Sequence, residues 1–178
     1  MKIAAQRSEE LTRITRLIDG MSVAMLTHPG HDGSLLARPM APLELDEDGA
    51  LWFFVDRDTE DAQLLHNVNL AFVDAAHSIF VSMSGHGEIV ANRARVEAMW
   101  TPLARPWFPQ GAQSGNIGLL KFVPHHIEYW DAPHSRVVRL LALAASMVTG
   151  KPVGQGEHHS MTRLAAEPFD RVPTQGSS

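Results

Sequence analysis

Residues 34–65 decide the fold, and they read S-L-L-A-R-P-M-A-P-L-E-L-D-E-D-G-A-L-W-F-F-V-D-R-D-T-E-D-A-Q-L-L. Two strand-like runs, 35–45 and 51–55, flank the turn sequence D-E-D-G, and Asp-Gly is a strong signal for a β-hairpin. A short helix is expected over 58–66. The pattern therefore places Arg38 in the middle of one strand and a helix N-terminus directly after its partner strand.

This arrangement suits an anion. A fixed arginine close to the free backbone N–H groups at the positive end of a helix dipole is a recurring way to hold a phosphate or a carboxylate. A hairpin whose Arg38 faces water accounts for the same residues equally well. Both interpretations stay open on this stretch alone.

The rest of the chain predicts about seven strands at short spacing, with small helices between some of them. Gly85 predicts a bulge or sharp bend. The pattern favours a mainly β (α+β) fold, an antiparallel barrel with short peripheral helices, over a doubly wound sheet. We expect one domain over 1–164 that includes a C-terminal helix at 135–149, followed by a disordered tail at 165–178. The other predicted helices are 8–18 and 93–100, and the other predicted strands are 22–27, 70–73, 79–83, 86–90, 117–123 and 127–130.

Composition narrows the function. The formal net charge is −5 with no basic block, which argues against a nucleic-acid partner. The chain has no cysteine, which excludes disulfides and thiolate chemistry. The longest apolar run, 140–148, is too short to span a bilayer, so no membrane partner is expected. The polar N-terminus lacks a signal core, and a cytoplasmic protein is expected.

The ten histidines invite a metal interpretation that their spacing does not favour. His125 and His126 are adjacent, and adjacent residues on a strand point to opposite faces. No H-x-x-x-H pattern occurs. His28 and His31 share a turn with Asp32, a weak grouping that solvated turn residues explain better. No metal site is expected.

Catalytic groups are equally hard to name. The carboxylates of the D-E-D-G turn are expected to be solvated, whereas an acid pair for glycoside hydrolysis needs one carboxylate in an apolar pocket. There is no G-x-S-x-G elbow, and Ser84 before Gly85 is expected to be structural. The loop W-F-P-Q-G at 107–111 is more informative. Trp107 and Phe108 either plug the domain's own core or cover a second subunit or a flat ligand.

Five motifs stand in the order seen in a known family: R-P-M at 38–40, L-W-F-F at 51–54, V-S-M-S-G at 81–85, W-F-P-x-G at 107–111 and E-Y-W-D at 128–131. In this order they resemble general stress protein 26-like proteins. Those belong to the pyridoxamine 5′-phosphate oxidase-related, FMN-binding split-barrel superfamily. The resemblance covers roughly residues 8–164.

The resemblance implies a split β-barrel homodimer with flavin in two clefts at the subunit interface. Carried over to this chain, Arg38 and Thr59 would meet the flavin phosphate. The isoalloxazine ring would lie along the backbone of two short segments, and an aromatic side chain would approach from the partner subunit. The implied cofactor-binding residues are Arg38, Pro39, Met40, Phe54, Val55, Thr59 and Trp107.

The chain departs from the family pattern at the phosphate end of this site. The family's lysine position holds Asp61, preceded by Glu60, and Val55 stands where Thr is common. The loop 112–116 also lacks the family's acidic D-P ending. At an effective dielectric of about 20, one unit charge pair at 4 Å is worth roughly 4 kcal/mol, so acids here repel a phosphate. Arg57 and Arg105 are the candidate replacement cations.

Two functions from different classes follow. The first is an FMN-binding (alternatively FAD-binding) protein of the general stress type, an oxidoreductase if active. It would pass electrons between a reduced nicotinamide and a small molecule, with no catalytic residue assigned. The second is a split-barrel dimer that has lost FMN and serves as a non-flavin ligand-binding or structural module. True pyridoxamine phosphate oxidase activity is disfavoured, because a basic cluster for two phosphates is lacking.

Overall fold

The computed structural model describes residues 1–59, 62–131 and 157–162, and most of them lie in one β-sheet. The predicted helix at 135–149, the predicted tail at 165–178 and the two acids Glu60 and Asp61 lie outside the described residues. The strands are β1 Lys2–Ile3, β2 Ala24–Pro29, β3 Leu35–Met40, β4 Glu44–Leu45, β5 Leu51–Asp56, β6 Val68–Asp74, β7 Ile79–Val90, β8 Ile117–Asp131 and β9 Glu157–Thr162. The α-helices are α1 Glu9–Ile18 and α2 Arg93–Met99, and short 3₁₀ helices span Ala62–Leu65, Pro102–Ala104 and Gly111–Gln113.

Helix α1 forms where its local signals predict it. The side chain of Ser8 caps the helix by accepting a hydrogen bond from the backbone N–H of Leu11 at 3.1 Å, and two glutamates follow in the first turn. Gly20, at φ +82°, stands just beyond the helix C-terminus. The helix buries Leu11, Ile14 and Ile18, so one face supplies the contact with the sheet.

The sheet is curled around the main core but is not closed. Its strand order is β1-β4-β5-β8-β7-β6-β2-β3, with β9 added to β8. Buried residues from β2, β4, β5, β6, β7 and β8 belong to one cluster together with α1, so strands far apart in this order face the same interior. All pairs are antiparallel except the parallel β1–β4 pair. The mainly β prediction is confirmed.

The predicted hairpin forms only at its tip. The D-E-D-G turn is present, with the Asp46 N–H bonded to the Ala50 carbonyl at 3.0 Å, but only β4 pairs with β5. Strand β3 pairs instead with β2, where Arg38 stands opposite Leu26. The prediction that β3 and β5 are hydrogen-bonded partners is therefore wrong. Pro42 has no backbone N–H to continue the run from β3 into β4, which explains the break.

The predicted helix over 58–66 is also shorter than expected. Among the described residues of this range, 58–59 and 62–66, helical structure is limited to the 3₁₀ turn Ala62–Leu65. The Asp56 carboxylate accepts a hydrogen bond from the Asp58 N–H at 3.0 Å, and such a local side-chain contact competes with a regular helix start. The chain leaving β5 therefore begins with a turn.

Strand β8 is one continuous strand, not the predicted pair of strands divided by Pro124. It pairs with β7 along its length, and the register shifts where Ser84 faces His126 while Gly85 faces Pro124. His125 is thus an extra residue in a β-bulge, which is where a central strand tolerates proline. The predicted irregularity at Gly85 is confirmed. A Cβ on Gly85 would lie 2.1 Å from the Val123 carbonyl oxygen, so only glycine allows this approach.

The bulge also reverses which residues of β8 face the core. Leu120 and Phe122 are buried before it, and Ile127 and Tyr129 are buried after it. In an unbroken strand, every second residue faces the core, so the buried positions would all have even numbers or all odd numbers. His125 and His126 therefore both stand between two inward-facing positions. The expectation that these neighbours point to opposite faces is wrong here.

Candidate functional site: the opening of the sheet

The gap in the sheet lies between β3 and β5. Strand β3 ends the strand order, and β4 covers only Leu51 and Trp52 of β5. Within the described residues, the β5 edge from Phe53 to Asp56 has no strand partner on that side. Two residues, Ala41 and Pro42, link Met40 to Leu43, and the Leu43 N–H donates to the Trp52 carbonyl at 2.8 Å. The R-P-M strand therefore leads directly into the exposed edge of the F-F-V strand.

Arg38 lies on the core-facing side of β3. Residues directly opposite in an antiparallel pair point to the same face, and Arg38 is opposite Leu26, which is fully buried. Met40, two residues on, packs against the main core cluster. Arg38 itself is half-buried. Its guanidinium is thus a charge kept close to apolar surroundings beside the opening.

The two β5 residues of the predicted site have divided roles. Val55 is buried in the main core. Phe54 points to the other face, where its ring lies 5.7 Å from that of Trp100 and 6.2 Å from that of Phe108. Both faces of β5 are therefore covered, as in a fully buried strand. Because both side chains are packed, only the backbone N–H and C=O groups of these two residues could contact a ligand.

The turn after β5 is fastened to the loop before β8. The carboxylate of Asp56 accepts from the Asn116 amide at 2.8 Å, and Arg57 donates from Nη2 to the Gly115 carbonyl at 2.7 Å. A Cβ on Gly118 would lie 2.5 Å from Cγ of Arg57, so the aliphatic part of Arg57 lies across that glycine. This arrangement fixes Arg57 at the corner that leads to Thr59.

Thr59 is exposed at this corner. Its hydroxyl donates to the Asp56 carbonyl at 3.3 Å, a long contact that a stronger acceptor would replace. The alternative cation, Arg105, is exposed on the loop after α2. Of the two candidate replacement cations, Arg57 is therefore the one fixed next to Thr59.

The two aromatic residues of the loop 107–111 lie in different environments. Phe108 is buried and packs with Trp52, Val96 and Leu119 on the outer face of β5, so it plugs a second core. Trp107 is 73% exposed. Phe108 is thus a core plug, one of the two interpretations drawn from the sequence, whereas the role of the exposed Trp107 stays a prediction.

Five of the seven predicted residues therefore belong to the two strands on either side of the gap in the sheet. Arg38, Pro39 and Met40 form one border, and Phe54 and Val55 form the other. Thr59 lies at the end of the second border, and Trp107 belongs to the loop on the outer face.

Sequence reasoning missed a contact between two histidines. Nδ1 of His86 lies 2.6 Å from Nε2 of His125, because the bulge brings His125 beside β7. Gly85 and Pro124 are the sequence signals for this contact, because they face one another across β7 and β8.

In the described part of the chain, no group of three His, Cys, Asp or Glu side chains is placed to hold a metal ion. Across the same residues, no helix is long and apolar enough to cross a membrane.

Comparison with known proteins gives a family match over most of the chain. The family described as pyridoxamine 5′-phosphate oxidase like matches residues 9–154. The chain is also 25% identical over 141 residues to protein bli-3 of Neurospora crassa, a match that covers 72% of this chain and 67% of that protein.

Solved structures resemble the fold. A general stress FMN/FAD binding protein from Xanthomonas citri is 28% identical, with a TM-score of 0.60 over 72% of this chain and 93% of that one. General stress protein 26 from Bacillus anthracis str. Sterne is 20% identical, with a TM-score of 0.59 over 68% and 94%. A Jannaschia sp. CCS1 protein described as a general stress protein 26 is 23% identical, with a TM-score of 0.66 over 87% and 99%. The last two show a shared fold, and the split-barrel prediction is confirmed.

Proposed function

We propose that this chain, which belongs to the pyridoxamine 5′-phosphate oxidase-like family, binds a flavin mononucleotide or dinucleotide in the opening between β3 and β5. The observation that carries the proposal is that, within the described residues, β3 ends the strand order and the β5 edge from Phe53 to Asp56 has no strand partner, with the half-buried Arg38 on β3. Unpaired N–H and C=O groups along such edges match the donors and acceptors of a flavin ring. The Xanthomonas citri protein, described as FMN/FAD binding, supports the same ligand.

Each predicted residue has a role in this proposal. The Arg38 guanidinium meets the flavin phosphate as a bidentate donor, and the Thr59 hydroxyl exchanges its long contact with Asp56 for a phosphate oxygen. The backbones of Pro39–Met40 and Phe54–Val55 border the ring, and Trp107 covers it from a second subunit. The bound flavin would supply hydride or electron transfer with a nicotinamide and a small acceptor.

The charges near the phosphate decide how tightly it is held. Asp56 is occupied by Asn116 and by the Asp58 N–H, so hydrogen bonding partly offsets its charge. Asp58, Glu60 and Asp61 add negative charge to the same stretch of sequence. Arg57 adds the compensating positive charge at the corner. We therefore propose that flavin affinity depends strongly on Arg38 and Arg57.

The first experiment is the visible spectrum of freshly purified protein, with acid release and mass identification of any chromophore. The proposal expects about one flavin per subunit. Arg38→Ala is expected to weaken FMN binding more than tenfold, a loss of at least about 1.4 kcal/mol. Arg16→Ala removes the same charge from an exposed position of α1 and is the control. Equal affinity in both variants would remove Arg38 from the phosphate site.

The acidic stretch supports the second candidate, a non-flavin binding module. Asp61→Lys combined with Glu60→Ala separates the two candidates. If the unaltered protein is colourless and this variant gains FMN affinity, charge repulsion is what excludes the flavin. If neither protein binds added FMN, the opening is closed to flavins for another reason, and the module function is favoured.

We also propose a homodimer. Besides Trp107, the outer face of the sheet carries an apolar row across three strands: Val73 faces Phe80, and Phe80 faces Trp130. These side chains are 59%, 42% and 38% exposed. Contiguous exposed apolar surface favours a partner, and a two-fold copy is the common one. Light scattering at micromolar concentration tests this, and a monomer would contradict it.

A further inference from the structure

A second cleft, away from the opening between β3 and β5, lies where the bulge of β8 meets the ends of β2 and β6. Its volume is about 390 Å³. Its polar lining consists of imidazoles, amides and two hydroxyls: Thr27, His28, His66, Asn67, Asn69, Ser84 and His125. Among the described residues, no carboxylate and no lysine or arginine lines it. A site with convergent donors and no fixed negative charge suits an anionic ligand.

The bulge determines what the cleft contains. His125 is the extra residue of β8, and its neighbours Gly85 and Ser84 belong to β7. The strands approach so closely here that a Cβ on Gly85 would collide with backbone. Bulges often occur next to functional sites, where they redirect a side chain. Here the redirected side chain is His125.

A hydrogen-bonded chain fixes the protonation of that imidazole. Nε2 of His86 lies 3.1 Å from a carboxylate oxygen of Glu88, which accepts, so His86 carries its hydrogen on Nε2. Nδ1 of His86 is then an acceptor for Nε2–H of His125 at 2.6 Å. These partners assign Nδ1 of His125 as the nitrogen that takes up a proton. The resulting positive charge is linked through His86 to Glu88.

Neighbouring groups also fix hydrogen positions on two further residues of the cleft. Nδ1 of His28, a buried residue, lies 3.0 Å from the Pro29 carbonyl. A carbonyl only accepts, so this contact places a hydrogen on Nδ1 of His28. Ser84 accepts from the Asn69 amide at 3.3 Å, which leaves the Ser84 hydroxyl proton to be donated elsewhere.

We propose that this cleft is a binding site for a small oxyanion, a carboxylate or a phosphate monoester, held by the protonated imidazole of His125 and the hydroxyl of Ser84. Binding is coupled to protonation of His125. The apolar lining residues Pro29, Leu35 and Val68 favour an anion that carries a short apolar body. The site is independent of the flavin site, since it shares none of the residues assigned to flavin.

The coupling gives the pH dependence a definite sign. Burial lowers the pKa of His125 below its ordinary value, and the nearby His86 lowers it further. The other titratable groups around it are His28 and His66 in the cleft and Glu88 behind His86. The imidazole is therefore neutral near pH 7 and must gain a proton to bind an anion. Affinity is expected to fall about tenfold for each pH unit above the pKa of His125.

The test uses sulfate as the probe, because its charge does not change over about pH 5.5 to 8. Imidazole NMR of the ¹⁵N-labelled full chain is followed during titration with sodium sulfate, and sodium chloride at equal ionic strength is the control. We expect saturable shifts of the His125 signals and a rise in its pKa of about half a unit or more. Shifts no larger than those caused by chloride would overturn the proposal.

Two variants sharpen the result. His125→Gln is expected to weaken sulfate binding at least about fivefold at pH 6. His77→Gln changes an exposed histidine at the far end of β7 and is expected to bind sulfate normally. Equal weakening in both variants, or none in His125→Gln, would contradict the site. Because the titration of the unaltered protein stands alone, the test survives even if His125→Gln fails to fold. FMN binding is measured in parallel and is expected to be the same in His125→Gln as in the unaltered protein.

Discussion

Replacing Gly85 by alanine tests the account of the bulge. The added Cβ would lie 2.1 Å from the Val123 carbonyl oxygen, 2.9 Å from its carbon and 3.0 Å from Cα of Pro124. All three neighbours are backbone atoms of a central strand, so no side-chain rotation relieves the clash. Overpacking in a rigid core costs typically about 1–3 kcal/mol, and more when backbone must move. We expect the upper end, about 3 kcal/mol.

Urea denaturation measures this loss directly. For a chain of this size a slope of about 2 kcal/mol per molar is ordinary, so the midpoint should fall by roughly 1.5 M. Gly115→Ala is the matched control, because a Cβ there has no neighbour within 4 Å. That change should leave the free energy of unfolding unaltered or raise it by about 0.4–1 kcal/mol. A Gly85→Ala protein within about 0.5 kcal/mol of the unaltered one would refute the close approach of β7 and β8.

The remaining predictions concern two other parts of the fold. Phe108→Ala should destabilise the protein by about 3–5 kcal/mol because it empties a buried position. Trp107→Ala, at 73% exposure, should change the free energy of unfolding by less than about 0.5 kcal/mol. In a urea denaturation of diluted protein, similar losses in both variants would contradict the different environments of these neighbours. Asp46→Ala should cost about 1–3 kcal/mol, because its carboxylate accepts from the Ala50 N–H at 2.9 Å and from the Trp52 indole at 2.9 Å. Thermal unfolding followed by tryptophan fluorescence measures that loss, and an unchanged midpoint would mean that solvent replaces both bonds.

Features set by neighbouring residues were predictable from the sequence. Helix α1 has a capping serine, acids in the first turn and a left-handed glycine after its end, all within reach of one another. The D-E-D-G turn is likewise local. The family order of the R-P-M and F-F-V segments predicted that β3 and β5 border one site, and both segments do form strands.

Features set by distant residues were not predictable. Nothing in 35–40 indicates that, within the described residues, β3 has no strand partner on its side away from β2. Pro124 looks like a strand break until Gly85 is known to face it. The His86–His125 contact depends on that same non-local pairing. Sequence reasoning therefore missed the contacts that depend on the register between β7 and β8.

Strand β8 also determines when this protein can fold. It supplies the pairing partner for all of β5, for all of β7 and for β9, yet it is synthesised well after the first two. While the chain emerges from the ribosome, β5 and β7 therefore present apolar strands with unsatisfied edges until residue 131 is available. Such edges are templates for unwanted pairing. The pairs of β5 and β7 with β8 therefore form late in synthesis, and the interval before they form is when the nascent chain is most exposed to unwanted pairing.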